Sequence, residues 1–291
     1  MELHTIGDDL LQIEISPLGA RLNALTFDGL DRLVDGAATR TEALGPKKYH
    51  GAVVGPVANR IAGAQATIDG RDCTFESNER DITTLHSGST GVHARDWTVE
   101  AKDKKFVSLS LALADGDGGF PGNRVLIANF EVIETALHVH FEAETDAPTG
   151  INLALHPYWT LAQNGREGQK LRVRADTYLP VTDVQIPTGE IADVSGTLFD
   201  LRTLALPSKE IDHNYCLSDA PGPAIVVETD KLRMEVETDA PGVQIFTGKA
   251  HGIAIEPQHW PDAMHHPHFP SVRLNPGETY TQNSTYRFTR L

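Results

Sequence analysis

Two stretches of the sequence place an ionisable side chain in a strand-like run. INLALHPYWTL, residues 151–161, alternates apolar and polar residues like a half-buried strand and contains His156, whereas GIAIEPQHWPDA, residues 252–263, has Glu256 at the end of an apolar run. A carboxylate in such a run needs either a partner or a function, because burying an unpaired charge is costly. A histidine in a strand is often a structural, hydrogen-bonded residue, so His156 alone is compatible with a structural role as well as with catalysis. If both are functional, they can serve as an acid and a base.

Four further polar residues stand in turn-rich or strand-end contexts. Asn59 and Arg60 follow a glycine-containing run in GPVANRIAGAQATIDG, and an arginine there can fork onto sugar or carboxylate oxygens. The alternative for Arg60 is a surface residue of a hairpin. His86 lies among small residues in LHSGSTGVHARDW, which leave space for a ligand. Asp212 lies in IDHNYCL.

Two groups of histidines could suggest a metal site. His138, His140 and Glu142 alternate along LHVHFEAE and share one strand face, so they could offer two imidazoles and a carboxylate to one ion. The opposite face is apolar, so a strand with its polar side in water explains the pattern equally well. The second group lies in a proline-interrupted loop without regular ligand spacing and comprises His259, His265, His266 and His268. We predict no metal site from either group.

Alternation of apolar and polar residues dominates the chain. Runs such as LLQIEI, FVSLSLAL, VLIANFEV and LRMEVET have the two-residue period that is typical of strands, whereas helical periodicity is scarce. Turn signals such as SPLGA, DAPTG, IPTGE and NPGE separate the runs. No Ser/Gly-rich or Pro-rich linker and no fixed repeat divides the sequence. We therefore predict an all-β protein with one large antiparallel β-sandwich domain over residues 1–291.

Composition and charge narrow the range of partners and compartments. Lys and Arg number 25 against 40 Asp and Glu, and the formal charge of −15 argues against nucleic acid or an anionic membrane as a partner. The first residues lack a signal-peptide pattern, and no apolar run has the length of a membrane span, which predicts a cytoplasmic protein. Cys73 and Cys216 are far apart in the sequence and predict reduced core thiols.

Searches for several well-known motifs fail. The sequence has no Walker A motif, no G-x-G-x-x-G after a strand and no G-x-S-x-G nucleophile elbow. The loop DGDGGFPGN begins like a calcium loop, but Gly119 and Phe120 stand where a ligand and the invariant glycine belong. We interpret this loop as a turn.

Taken together, the sequence resembles the aldose 1-epimerases, also called galactose mutarotases. The resemblance implies a large twisted β-sandwich and a cofactor-free interconversion of the α and β anomers of an aldohexose. The matching stretches follow the family's order and span nearly the whole chain; they are GPVANRIAGAQATIDG, LHSGSTGVHARDW, DGGFPGN, INLALHPYWTL, YLPVTDVQIPTGEI, IDHNYCL, GVQIFTG, AIEPQHWPDA and PSVRLNPGETY.

The same resemblance implies roles for the acid and the base. Glu256 is expected to take the proton from the C1 hydroxyl, and His156 is expected to protonate the ring oxygen; rotation and reclosure then give the other anomer. This chemistry is redox-neutral and needs an acid, a base and a hydroxyl-binding frame. We expect an environment that keeps the pKa of Glu256 low enough for ionisation, and that of His156 high enough for protonation, at neutral pH.

The remaining matched residues are expected to hold the substrate. The resemblance places His86 near the ring oxygen and implies that Arg60 and Asp212 hold sugar hydroxyls. Asn59, beside Arg60, is included in this substrate-binding set.

Three departures from the family pattern leave the preferred sugar open. GPVANRI has Pro56 and Val57 where an arginine and an aromatic residue are common, LHSG replaces a double glycine, and LHPYW replaces an Asn-His-Ser-aromatic run. Galactose, glucose, arabinose, xylose and rarer aldoses are all compatible with the sequence, which predicts neither the oligomeric state nor the pathway served.

Two other functions stay open at the level of sequence. A phosphosugar epimerase of the same fold would need clustered cations, of which the matched motifs supply only Arg60. A non-catalytic sugar-binding or regulatory protein should have lost Glu256 or His156, and both are present.

Overall fold

A computed structural model describes residues 1–31, 33–162, 165–249 and 251–291. Nearly all regular structure in these residues is β-strand, which confirms the all-β prediction. The strands, numbered in chain order, are β1 (His4–Gly7), β2 (Leu11–Ser16), β3 (Arg21–Phe27), β4 (Val53–Val54), β5 (Arg60–Ile61), β6 (Gln65–Ile68), β7 (Arg71–Thr74), β8 (Thr84–Leu85), β9 (Thr98–Lys102), β10 (Phe106–Leu113), β11 (Arg124–Ile133), β12 (Ala136–Thr145), β13 (Thr149–Gly150), β14 (Ala154–Leu155), β15 (Tyr158–Trp159), β16 (Lys170–Val173), β17 (Thr177–Tyr178), β18 (Ala192–Asp193), β19 (Asp212–Cys216), β20 (Ile225–Glu228), β21 (Leu232–Thr238), β22 (Gly242–Phe246), β23 (Ile253–Gln258), β24 (Arg273–Leu274) and β25 (Tyr280–Arg290).

Helical structure in the described residues is limited to short turns. The α-helix α1 has five residues, and its N-cap Thr39 accepts a hydrogen bond from the backbone N–H of Glu42. The DGDGGFPGN loop contains one of the 3₁₀ turns and is a turn, as predicted. The helical segments are α1 (Arg40–Leu44) and the 3₁₀ turns Ala62–Ala64, Val92–Ala94, Asp117–Gly119, Gly165–Gly168 and Ala263–His265.

Two large antiparallel sheets form the molecule. The eight-stranded sheet has the order β16-β20-β21-β25-β12-β11-β10-β9, and the six-stranded sheet has the order β15-β23-β22-β19-β17-β18. A three-stranded sheet, β1-β2-β3, and short two-stranded ladders complete the described part of the chain.

Strand β12 shows why the sequence forms this sheet. Leu137, Val139 and Phe141 are buried, whereas the alternating His138 and His140 are only half-buried on the other face. Each fully buried aliphatic or aromatic side chain contributes about 1.5–3 kcal/mol relative to exposure. A two-residue period with one apolar face therefore fixes both the strand and its register.

The main core lies between the two large sheets. Trp159 of β15 and Tyr286 of β25 are fully buried, and their ring centroids are 5.1 Å apart, so they join one sheet to the other. The same hydrophobic cluster contains Ile6 near one end of the chain and Phe288 near the other. Both ends of the chain therefore contribute to one core, and the single domain over residues 1–291 stays a prediction.

Three further findings bear on the sequence predictions. Cys73 and Cys216 are buried and free, as expected of reduced core thiols. No helix in the described ranges is long and apolar enough to cross a membrane. Residues 151–159 are buried on both faces, so the interpretation of this run as a half-buried alternating strand is wrong. The run lies between neighbours, because β14 pairs with β4 and β15 pairs with β23.

Candidate active site

A row of polar side chains crosses the six-stranded sheet at Glu256. This residue is fourth in β23, every residue of which is buried, and it lies within the strand rather than at its end. Gln244 of β22 pairs with Glu256 in register, and Asn214 of β19 pairs with Gln244. Directly opposed residues of an antiparallel pair project from the same face, so the three side chains form one row.

His156 lies in the short connection between β14 and β15. Its backbone is fixed on both sides, because its N–H donates to the Ala52 carbonyl at 2.9 Å and its carbonyl accepts from the Gly51 N–H at 2.8 Å. Pro157 follows at once and separates the two strands. The turn aims the imidazole toward β23, and His156 Nε2 lies 3.3 Å from Glu256 Oε1.

The Glu256 and His156 side chains are almost free of other hydrogen bonds. Glu256 is 2% exposed and His156 is 5% exposed. Among the described residues, Glu256 Oε2 and His156 Nδ1 are buried and have no hydrogen-bond partner. Unsatisfied buried polar atoms are rare in folded proteins, and each calls for an explanation such as a catalytic role or a bound molecule.

His86 completes a cluster with these two residues. One donor atom from each of His86, His156 and Glu256 lies within 4.8 Å of the others. Asn59 donates its backbone N–H to His86 Nδ1 at 3.1 Å, so the proton of a neutral His86 is on Nε2. Burial lowers the pKa of His86 well below its ordinary value, which keeps the ring neutral. His86 is therefore a neutral hydrogen-bond donor through Nε2, because the Asn59 N–H occupies Nδ1.

The backbone geometry at Asn59 and His86 is unusual for residues other than glycine. Their φ angles are +63° and +51°, in the left-handed region, where asparagine and histidine are enriched. The Asn59 side chain stabilises this turn, because its Oδ1 accepts the N–H of Arg60 at 2.9 Å. Asn59 thus holds His86 and Arg60 in place.

Arg60 is buried between two carboxylates. Its Nε and Nη2 atoms donate to the two oxygens of Glu79 at 2.6 and 2.9 Å, and Nη2 lies 3.7 Å from Asp212 Oδ2. The hairpin-surface alternative for Arg60 is therefore wrong. Burial raises the pKa of Glu79, but the bidentate bonds from Arg60 outweigh it and the net pKa is lowered.

Asp212 connects this ion pair to the polar row. Gln244 donates from Nε2 to Asp212 Oδ1 at 2.7 Å, and the Gln244 Oε1 atom is buried without a partner in the described part of the chain. Asn59, Asp212, Asn214 and Gln244 line one small cleft. The six residues predicted from the sequence therefore come together at one place, which the contacts above connect.

The effect of burial on the acid–base pair is opposite to the sequence expectation. Burial raises the pKa of Glu256 well above its ordinary value; the nearby Asp212 raises it further and Arg60 lowers it. Burial lowers the pKa of His156. The environment of the pair thus favours a protonated Glu256 and a neutral His156, because a buried site disfavours the charged form of each group.

Sequence reasoning missed three residues of this site. Glu79 lies in a turn-rich segment without a distinguishing pattern, whereas Gln244 is a polar residue inside the apolar run GVQIFTG, a signal that could have identified it. Tyr49 packs its ring 4.5 Å from His86 and 5.9 Å from His156, and its hydroxyl is buried without a partner among the described residues.

The two histidine groups considered for metal lie outside this site. His140 bonds Glu142 at 2.7 Å and Asn283 at 2.7 Å, while His138 bonds Thr285 at 3.0 Å. In the described residues, His138, His140 and Glu142 do not form a three-donor cluster.

The loop of residues 259–268 is attached to the site's framework. Asp262 is buried and accepts the N–H of Ala62 at 2.9 Å and a bond from His265 at 2.6 Å. The His259 N–H donates to Asn152 at 2.9 Å. These bonds give the loop a structural role beside β5.

Comparisons with known proteins identify relatives over almost the whole chain. A family model described as aldose 1-epimerase matches residues 2–287. A galactose mutarotase from Rattus norvegicus is 32% identical over an alignment that covers 99% of this chain and 94% of the relative. An aldose 1-epimerase from Escherichia coli (strain K12) is 30% identical over 277 residues, which cover 82% of this chain and 80% of the relative.

Solved structures share the architecture. An aldose epimerase homologue from C. elegans superposes with a TM-score of 0.93 at 26% identity, covering 100% of this chain and 99% of that one. A galactose 1-epimerase from Lactobacillus acidophilus NCFM gives a TM-score of 0.88 at 24% identity, covering 100% and 95%, and supports the fold. The predicted large β-sandwich is confirmed.

Proposed function

The chain belongs to the aldose 1-epimerase family, and we propose from this premise that Glu256 and His156 carry its isomerase reaction, the interconversion of the α and β anomers of a free aldose. The observation that carries the proposal is the 3.3 Å contact between a buried carboxylate and a buried imidazole, each with a free second polar atom. The C1 hydroxyl loses a proton in ring opening, and the ring oxygen O5 gains one. Both oxygens are bonded to C1. An acid and a base that serve both atoms must therefore lie close together.

The reaction needs two proton transfers and no net redox change. The Glu256 carboxylate accepts the proton of the C1 hydroxyl, and the C1–O5 bond breaks as the carbonyl forms. The protonated His156 donates a ring N–H proton to O5, which becomes the hydroxyl of the open-chain aldehyde. After rotation about C1–C2, the same transfers run backwards on the other face of the carbonyl and give the other anomer.

Burial of the pair has a defined place in this cycle. Before ring opening the pair is carboxylate and imidazolium; afterwards it is carboxylic acid and neutral imidazole. Burial favours the second state, since it raises the pKa of Glu256 and lowers that of His156. The mutual attraction of the charged pair and the nearby Arg60 favour the first. These opposing effects bring the two states closer in free energy and so lower the cost of opening the ring.

The surrounding residues form the frame that holds the sugar. A neutral His86 presents its Nε2–H toward the acid–base pair and suits the ring oxygen or a neighbouring hydroxyl. Asp212 and Gln244 both offer acceptor oxygens in the adjoining cleft, because Gln244 Nε2 already donates to Asp212 and Gln244 Oε1 has no partner among the described residues. Asn59 also lines this cleft. Arg60 acts mainly by fixing the Asp212 carboxylate.

The geometry favours neither of the two other functions that the sequence left open. The charge of Arg60 is already matched by Glu79 and Asp212, so this residue is poorly placed to bind a phosphate dianion. A sugar-binding protein without activity needs no acid–base contact, and here the contact is intact. Two free, buried cysteines support a reducing compartment, and we propose the cytoplasm.

Polarimetry on freshly dissolved neutral aldoses tests the proposal. We expect the purified protein to accelerate the mutarotation of at least one sugar at neutral pH, and the panel of galactose, glucose, arabinose and xylose identifies the preferred one. The Glu256→Gln protein is the matched control. Rates equal to the buffer rate for every sugar would contradict the assignment of Glu256 and His156.

A further inference from the structure

A second cluster of ionisable side chains lies outside the proposed active site. Asp35 Oδ2 is 2.9 Å from His50 Nδ1 and 3.0 Å from His251 Nε2. One donor atom from each of the three residues lies within 4.8 Å of the others. The proposed reaction uses none of these residues, which are far apart along the chain and meet only in the folded protein.

We propose that Asp35, His50 and His251 form a binding site for a divalent transition-metal ion of the zinc type. Two imidazoles and one carboxylate are a donor set that such ions select in proteins. Ligand bonds of about 2.0–2.1 Å put the donor atoms around a tetrahedral ion roughly 3.3 Å apart. The hydrogen-bonded separations in the cluster are close to this spacing, so an ion can replace the bridging protons with small side-chain movements.

The residues around the cluster hold the ligands in position. Lys47 donates from Nζ to Asp35 Oδ1 at 2.6 Å and to the Gly36 carbonyl at 2.8 Å, which leaves Oδ2 directed at the two imidazoles. The His50 ring lies 4.1 Å from the Tyr158 ring, centroid to centroid. Outer contacts of this kind orient the ligands of metal sites.

The cluster is accessible from solvent. Asp35, Lys47 and His251 line a wide surface groove, and the His251 side chain is 45% exposed, whereas that of His50 is only 9% exposed. An ion can therefore enter from the groove and retain a water molecule as its fourth ligand. Because the ammonium of Lys47 compensates the Asp35 charge, we expect weaker binding than at a similar cluster without a neighbouring cation.

The position of the cluster gives the ion a structural consequence. His50 directly precedes Gly51 and Ala52, which hydrogen-bond the backbone of His156. His251 lies just before β23, which carries Glu256. An ion that joins His50 and His251 would therefore tie together the two chain segments that position the proposed acid and base.

Calorimetric titration of the metal-stripped full-length protein with Zn²⁺ tests the site. We expect one ion per chain, at least about tenfold weaker binding in Asp35→Asn and His251→Ala, and unchanged binding in His268→Ala, which removes an exposed histidine elsewhere. Lys47→Gln should bind about tenfold more tightly, because a cation next to the ion is removed. No binding to the wild-type protein, or equal binding by Asp35→Asn, overturns the proposal.

The His86, His156 and Glu256 cluster is the competing location for the ion, and a catalytic variant separates the two. We expect Glu256→Gln to bind Zn²⁺ as the wild type does, whereas loss of binding there would place the ion at the acid–base pair and overturn the proposal. A thermal melt gives an independent readout, since an ion that binds the folded state raises the midpoint. The rise should occur in the wild type and Glu256→Gln but not in His251→Ala.

Discussion

The carboxylate of Glu256 and the imidazole of His156 touch at 3.3 Å, and each presents its other polar atom to a site without a hydrogen-bond partner among the described residues. The protonation of each group therefore depends on the other group and on what enters the site. Loss of either member leaves the other buried without its partner, which makes single substitutions informative.

We expect Glu256→Gln to lower kcat by about 10² to 10⁴, because the amide cannot accept the C1 hydroxyl proton. Burial raises the folded-state pKa of Glu256, so its contribution to stability is full below its ordinary pKa and is lost as the pH rises through the folded value. The glutamine protein avoids this loss. Its thermal midpoint at pH 7 should be at least that of the wild type, and a lower midpoint with normal turnover would contradict the assignment.

His156→Asn should also lower kcat by about 10² to 10⁴, because the acid that serves the ring oxygen is removed. A polar side chain remains in the turn between β14 and β15, so we expect a folded protein that still binds sugar. Turnover and thermal midpoint are measured on the same preparation. A lower midpoint with near-normal turnover of the folded fraction would instead identify His156 as a structural histidine.

Glu79→Gln tests the support of Arg60. The substitution removes the carboxylate that Arg60 bonds at two points and leaves the more distant Asp212 and Glu256 to balance the buried guanidinium, so we expect unfolding to become easier by about 1–3 kcal/mol. Because Arg60 fixes Asp212, KM should rise more than kcat falls. Denaturant unfolding and steady-state polarimetry measure the two effects. Glu131→Gln, on the exposed face of β11, is the control and should change neither.

Acid should destabilise the protein through its buried neutral histidines. Burial lowers the pKa of His93 from 6.5 to about 3. Between pH 6.5 and about pH 3, His93 is therefore protonated in the unfolded state and neutral in the folded state. The stability attributable to His93 is therefore full above pH 6.5 and falls by up to about 1.4 kcal/mol per pH unit below it. His93→Gln should reduce the slope of unfolding free energy against pH in this window.

A neutral aldose should be a better substrate than its 6-phosphate. The chain carries a formal charge of −15, and the Arg60 charge is matched by two carboxylates, so a dianion is repelled and finds a poor counter-charge. The ratio of the kcat/KM values at low ionic strength measures the preference. A preference for the phosphate would move the assignment to a phosphosugar epimerase.

The fold was predictable because its long strands alternate apolar and polar residues in the sequence. In β12 the apolar side chains alternate strictly, so the burial of Leu137 and Val139 follows from the sequence. The run from Ile151 to Trp159 misled the same reasoning, since it is buried on both faces by neighbours that come from remote parts of the chain. Alternation of apolar and polar residues identifies a strand with one face in solvent, and it is lost when both faces of the strand are buried.

The proposed site was predictable in its residue types, because Glu256 and His156 interrupt apolar runs and the family pattern connects them. Glu79 and Tyr49 were not, since their importance comes from contacts across the fold and not from local sequence. The direction of the pKa changes was also beyond the sequence. This direction depends on how completely the pair is buried. For Glu256, burial raises the pKa by more than the nearby Arg60 lowers it.

The hydrogen bond from the Asn59 backbone to His86 limits how the site can evolve. The donor belongs to the main chain, so exchanging the Asn59 side chain does not abolish it unless the turn itself moves. A variant selected for a hydrogen-bond acceptor at His86 Nε2 would therefore have to rebuild the left-handed turn at residues 59 and 86. We expect directed evolution toward other sugars to accumulate changes at side-chain contacts such as Gln244, and to leave the tautomer of His86 as it is.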